Sequence, residues 1–189
     1  MAVGGALSGS ILYVASLNEL FGAKLKPIAG YAINQARLAM ERREVDGASS
    51  LVWSVMQAEY PDWIREKKAK FLVQVALERL AELPDVPLLS ELGRTADDRK
   101  IMRALSSSAI IGRTFVAPPG LLPARLETLR RAFDAAMADP EAVARASTMK
   151  LDLRPLTGEK LASLVREYDS LSPDLVDEIG RLAGVMKAK

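Results

Sequence analysis

The chain has 189 residues, 49% of them hydrophobic and 26% charged, with 26 Lys and Arg set against 24 Asp and Glu for a net charge of +2. These proportions describe a globular chain rather than a collagen-like, coiled-coil or disordered one, and the charge is too even for the basic stripe that nucleic acid demands. Neither Cys nor His occurs. That removes disulfides, thiolate nucleophiles, Cys- or His-ligated metals, a Ser-His-Asp triad and an HExxH zinc site, leaving carboxylate or Lys chemistry, or binding without chemistry.

In chain order, residues 2–5 read as a short apolar strand and residues 6–10 as a Gly/Ser turn. Ser10 reads as the cap of a helix from Ile11 to Phe21 that stops at Gly22. The apolar stretch from Ala2 to Leu17 has no basic residue before it and is broken by Gly4-Gly5 and Ser8-Gly9-Ser10, so it does not read as a secretory signal. No run approaches the roughly 18 apolar residues that span a bilayer. A second short strand is expected within residues 23–31, a helix over 34–44 and a third strand over 48–52. An amphipathic helix over 54–68 follows, interrupted at Pro61.

Phe71–Leu77 (FLVQVAL) is the clearest strand pattern, β-branched and continuous. Alternating strand and helix predicts βα units and a largely parallel sheet. After Ala76 five prolines (84, 87, 118, 119 and 123) break the chain and helices dominate. Thr95 with Asp98 suggests a capped helix through Leu105. Short strands are expected at 114–117 and 151–156. Helices are expected at 123–138, with Leu126, Leu129, Phe133 and Met137 on one face, and at 158–186 apart from Pro173.

Four stretches are more specific than the composition: VGGALSGSILYVASLNELFGAKLKPIAGY (3–31), LAMERREVDG (38–47), ELPDVPLLSELG (82–93) and GRTFVAPPGLLPARLETLRRAFDAAMADP (112–140). In order and spacing they resemble the substrate-binding proteins, or extracytoplasmic solute receptors, of bacterial tripartite tricarboxylate transporters. The resemblance implies an α/β fold of the periplasmic-binding-protein type II kind, two lobes with mostly parallel sheets. Only the C-terminal portion of the family pattern is present, with the signal and the N-terminal part of lobe one missing. Residues 1–76 would then form most of lobe two with the returning connection, and residues 77–189 the C-terminal part of lobe one.

Candidate contacts follow from residue chemistry and from the resemblance together. A Gly/Ser loop opening a helix presents free backbone N–H groups and the positive end of the helix dipole, which suits a carboxylate. Gly5, Ser8, Gly9 and Ser10 are therefore ligand-binding candidates, with a plain capped turn as the other reading. Gly30 and Tyr31 are a second pair, since the resemblance puts this segment end at the cleft; the other reading is a Tyr at a sheet edge. Asp46 is included as a ligand group or a structural cap.

Two departures from the family pattern stand out. Ile33 sits shortly after Tyr31 where a Gly is expected, and Arg43 sits where Gly usually ends the helix, which predicts a reshaped or strained turn. Glu41 and Glu44, at i and i+3, have Arg42 and Arg43 competing with any metal, and Asp97-Asp98 suits a helix start.

The resemblance implies capture of a small carboxylate by hinge closure between two lobes, with neither enzymatic chemistry nor cofactor or metal, and a membrane permease as partner. Location is then periplasmic by resemblance, or cytoplasmic if no signal is supplied. The alternative is a truncated, non-binding remnant that self-associates or docks through the apolar surface its missing segment would cover.

Overall fold

A computed structural model describes residues 1–4, 9–49, 51–111, 114–149, 151 and 153–182. Its regular elements are helices: α1 (Gly9–Phe21), α2 (Ile33–Glu41), α3 (Trp53–Glu59), α4 (Pro61–Arg65), a 3-10 turn (Leu89–Leu92), α5 (Ala96–Ile111), α6 (Pro123–Ala138), α7 (Pro140–Thr148), α8 (Gly158–Asp169) and α9 (Pro173–Leu182).

The expected α/β fold of two lobes with mostly parallel sheets, periplasmic-binding-protein type II-like, is overturned. The structure is helical and forms no sheet among the described residues. Extended pairing among the described residues is confined to three isolated parallel bridges, Ala2 with Ile28, Ala2 with Ala48, and Gln74 with Leu88.

The strand-like segments fail to extend because their partners cannot continue the ladder. The middle segment is bent by Lys24 (φ 55°) and Gly30 (φ 103°), and its Pro27 has no N–H to give. FLVQVAL meets the proline-rich 84–88 stretch at one point, Gln74 N–H to Pro87 O (2.8 Å) and Leu89 N–H to Gln74 O (2.8 Å). Leu72 on the same segment points into solvent at 62% exposure. A strand pattern without a neighbour to pair with along its length stays a lone extended segment.

Packing divides the chain into residues 1–110 with 171–189, and residues 111–170, so the 76/77 lobe boundary falls inside the first unit. In the first unit α1, α5 and α9 enclose one core, built from Tyr13, Leu89, Ile101, Met102, Leu105 and Leu182, with Val73 and Val75 packed against it. A second, smaller core joins Ala2 and Val45 to Ala36 and Ala39 of α2. Those alanines let the helix backbone lie close to the bridged segments.

Gln74 is buried without loss, because its side chain donates to Leu83 O (2.9 Å) and Val86 O (2.7 Å) and accepts from Leu80 N–H (3.0 Å). It thereby pins the proline-rich loop. The cap expected at Thr95 and Asp98 is present in reciprocal form, Asp98 N–H to Thr95 Oγ1 and Thr95 N–H to Asp98 Oδ2, each 3.0 Å.

The second unit holds α6, α7 and α8. The apolar face predicted for α6 is there, but no residue of α6 is buried. Ala146 and Leu164 are its buried apolar residues among those described, while Phe115 and Val116 stand 87% and 88% exposed. Residues 114–117 form no strand.

Candidate functional site

Because the bridges at Ala2 are parallel, segments 1–4, 26–31 and 46–49 run in one direction. Their carboxyl ends leave at the same edge. Backbone bonds join them there: Val3 N–H to Ile28 O (3.0 Å), Gly30 N–H to Gly4 O (3.2 Å), Tyr31 N–H to Val3 O (3.1 Å) and Ser49 N–H to Ala2 O (3.0 Å). Beyond that edge α1 and α2 begin.

The cap position of α2 is Ala32, whose own side chain can accept no amide. Gln35 accepts the Ala32 N–H (3.0 Å) and Asn34 Oδ1 the Gln35 N–H (2.9 Å). The remaining first-turn amides and the positive end of the helix dipole are open to an outside acceptor.

Of the sequence candidates, Gly9, Ser10, Gly30 and Tyr31 lie at this edge, whereas Gly5 and Ser8 lie outside the described residues. Ser10 is inside the first turn of α1 rather than ahead of it. It is buried, and its Oγ accepts the Gly4 N–H at 2.8 Å, which folds the loop back onto the helix. Gly9 lies beneath the Tyr13 ring, where a Cβ would stand 3.4 Å from the Tyr13 hydroxyl. Gly30 is exposed with nothing within 4 Å of where a Cβ would be, and its φ of +103° suits glycine. Tyr31 is half-buried against the small core of Ala36 and Ala39.

Asp46 is separated from that group. Ala2 N–H bonds to Gly47 O at 2.7 Å, which sets Asp46 at the opposite, amino-side edge of the segments. There it borders a cavity of about 470 Å3 lined by Met40, Glu41, Arg43, Val45, Asp46, Trp63 and Lys68.

Local physics makes this cavity. The end of α2 closes with Glu44 N–H to Ala39 O (2.8 Å) and Arg43 N–H to Met40 O (3.1 Å), the pairing that requires a left-handed residue at position 43. Arg43 takes φ 59°, so the strain predicted from the missing Gly is present. The end of α4 repeats the arrangement with Lys67 at φ 51° and Lys68 N–H to Trp63 O (3.0 Å).

Behind the cavity, Glu41 accepts from Arg37 (2.6 Å) and from the Trp63 indole N–H (2.8 Å). The Arg37 guanidinium lies 4.3 Å from the Tyr60 ring centre. Lys68 pairs with Glu66 at 2.9 Å, which holds its ammonium above the ordinary lysine value. Glu44 faces Arg42 at 3.9 Å. With Glu41 committed to Arg37 and Trp63, the two glutamates make no metal site, and no group of three potential metal ligands occurs among the described residues.

Sequence reasoning missed Trp63 and Lys68 as companions of Asp46 in the lining of this cavity, since only the return of the chain after α3 brings them together. It also missed α7, which a legible signal announces: Asp139 caps it, accepting from Glu141 and Ala142 N–H, directly before Pro140.

No protein-family model matches the chain, and neither the curated proteins nor the solved structures give a match. No helix among the described residues is long and apolar enough to cross a membrane.

Proposed function

We propose that the chain binds a small carboxylate, as a solute-binding protein of the tripartite tricarboxylate transporter type that its motifs resemble. One observation carries the reading. The uncapped start of α2 opens at the edge where Gly4 and Gly30 are hydrogen-bonded, beside the start of α1. A carboxylate there takes up amides that the chain leaves open, and the dipole of α2 favours its charge. The Tyr31 hydroxyl supplies a further donor. The permease partner and a periplasmic location rest on the motif resemblance alone.

Isothermal titration with a panel of dicarboxylates and tricarboxylates tests this reading. Saturable heat with at least one of them is expected, weakened in Gly30→Val, whose side chain intrudes on the open edge. Silence across the panel overturns it.

A second reading is self-association without ligand binding, favoured by the second unit. Phe115, Val116, Leu122 and Leu129 there are each more than half exposed, and two described apolar residues are buried. Unpartnered apolar surface on this scale drives association. Light scattering on a size-exclusion column is expected to show a dimer that Leu129→Glu dissociates; a monomer at all concentrations removes the reading.

A further inference from the structure

The cavity between the ends of α2 and α4 lies at the edge away from the open start of α2, and the carboxylate reading makes no use of it. Its lining is divided. Met40, Val45 and the indole of Trp63 are apolar, Arg43 and Lys68 are cationic, and Glu41 and Asp46 are anionic. A dicarboxylate entering it meets two carboxylates, and a diamine meets two cations. A molecule with both charges finds a complement for each, and its apolar part finds the Trp63 wall.

The ion pairs inside the chain show which groups remain for a ligand. Glu41 is held by Arg37 and by the Trp63 N–H, and Lys68 by Glu66. Among the described residues Arg43 and Asp46 have neither an ion pair nor a side-chain hydrogen bond, and both are exposed. They stand three positions apart on the turn that leaves α2. Arg43 is also kept in a left-handed backbone conformation (φ 59°) in which glycine would be unstrained. A strained cation without a partner, on the rim of a cavity, is the kind of outlier from which a ligand contact is inferred.

We propose that this cavity binds a small zwitterion, an α-amino acid with an apolar side chain. Arg43 takes its carboxylate, Asp46 its ammonium, and Trp63 with Met40 and Val45 its side chain.

Isothermal titration of the whole chain with leucine, with its decarboxylated amine, with its deaminated acid and with succinate tests the assignment. Saturable leucine binding is expected, at least tenfold tighter than that of either half-analogue. Arg43→Gly, which relaxes the backbone, and Asp46→Asn, which keeps the shape, are each expected to weaken it tenfold or more. No leucine binding, equal affinity for a half-analogue, or leucine binding indifferent to both variants overturns the proposal. Succinate separates the two sites: binding retained in Arg43→Gly belongs to the Gly30 edge, and the carboxylate reading stands or falls on the full dicarboxylate and tricarboxylate panel independently of the leucine result.

Discussion

Trp63 donates its indole N–H to Glu41 Oε1 across 2.8 Å, although the two are 22 positions apart in the chain. The bond ties the short helix α4 to the last turn of α2, and the same carboxylate takes Arg37 at 2.6 Å. Trp63 is only 6% exposed, so its N–H has little access to water. Replacing Glu41 by Ala leaves that donor buried without a partner and releases Arg37 from its ion pair. The expected loss is about 1–3 kcal/mol in urea unfolding, with a red shift of Trp63 emission as α4 loosens. Glu41→Gln, which retains an acceptor, is expected to lose less.

Arg43→Gly is expected to raise stability. Arg43 sits at φ 59°, and a left-handed non-glycine residue carries about 1–2 kcal/mol of strain. Glycine removes it but adds freedom to the unfolded chain, so a net gain of about 0.5–1 kcal/mol is expected. A higher urea midpoint with an unchanged slope is the outcome to look for.

Gln74 holds three backbone groups, Leu80 N–H, Leu83 O and Val86 O, through one buried amide. Gln74→Leu keeps much of the volume but strands those groups. A destabilisation of about 2–3 kcal/mol is expected. Hydrogen exchange is expected to speed up most at Leu80 and in the 83–89 loop, not in α2.

Stability near the start of α5 depends on pH through Asp98. The backbone N–H of Thr95 in the first place, with the Thr95 hydroxyl and the Arg94 N–H, holds its carboxyl below the ordinary aspartate value. A lowered folded-state value means that the contribution is complete above the unfolded aspartate value, near pH 3.9, and is lost as pH falls through the folded value. The gap in melting temperature between the chain and Asp98→Asn is therefore expected to be full near neutrality and to close on acidification. Thr95→Ala, which removes the reciprocal partner, is expected to cost about 1 kcal/mol in neutral buffer.

Local chemistry made several elements legible. The end of α1 and the start of α6 follow from Gly22 and from Pro123, and the Thr95 and Asp98 cap from their spacing alone. The strain at Arg43 was equally visible, because a helix end of that kind asks for glycine whatever surrounds it. For the candidate site, the sequence pointed to Gly30, Tyr31 and Ser10 at one edge. It also pointed to Asp46, which the fold carries to the other edge, where Trp63 and Lys68 line the same cavity.

What the sequence by itself determined was certain helix ends, the stop of α1 at Gly22, the start of α6 at Pro123 and the cap of α5, since glycines, prolines and caps act within a few residues. It also determined the absence of cysteine and histidine chemistry. Whether FLVQVAL became a strand was decided only in the tertiary structure: extended segments need partners from distant parts of the chain, and the stretch that reaches Gln74 is too rich in proline to run a ladder. The same holds for the cavity beside Trp63. Its walls are separate in the chain and adjacent only because α4 folds back onto the end of α2.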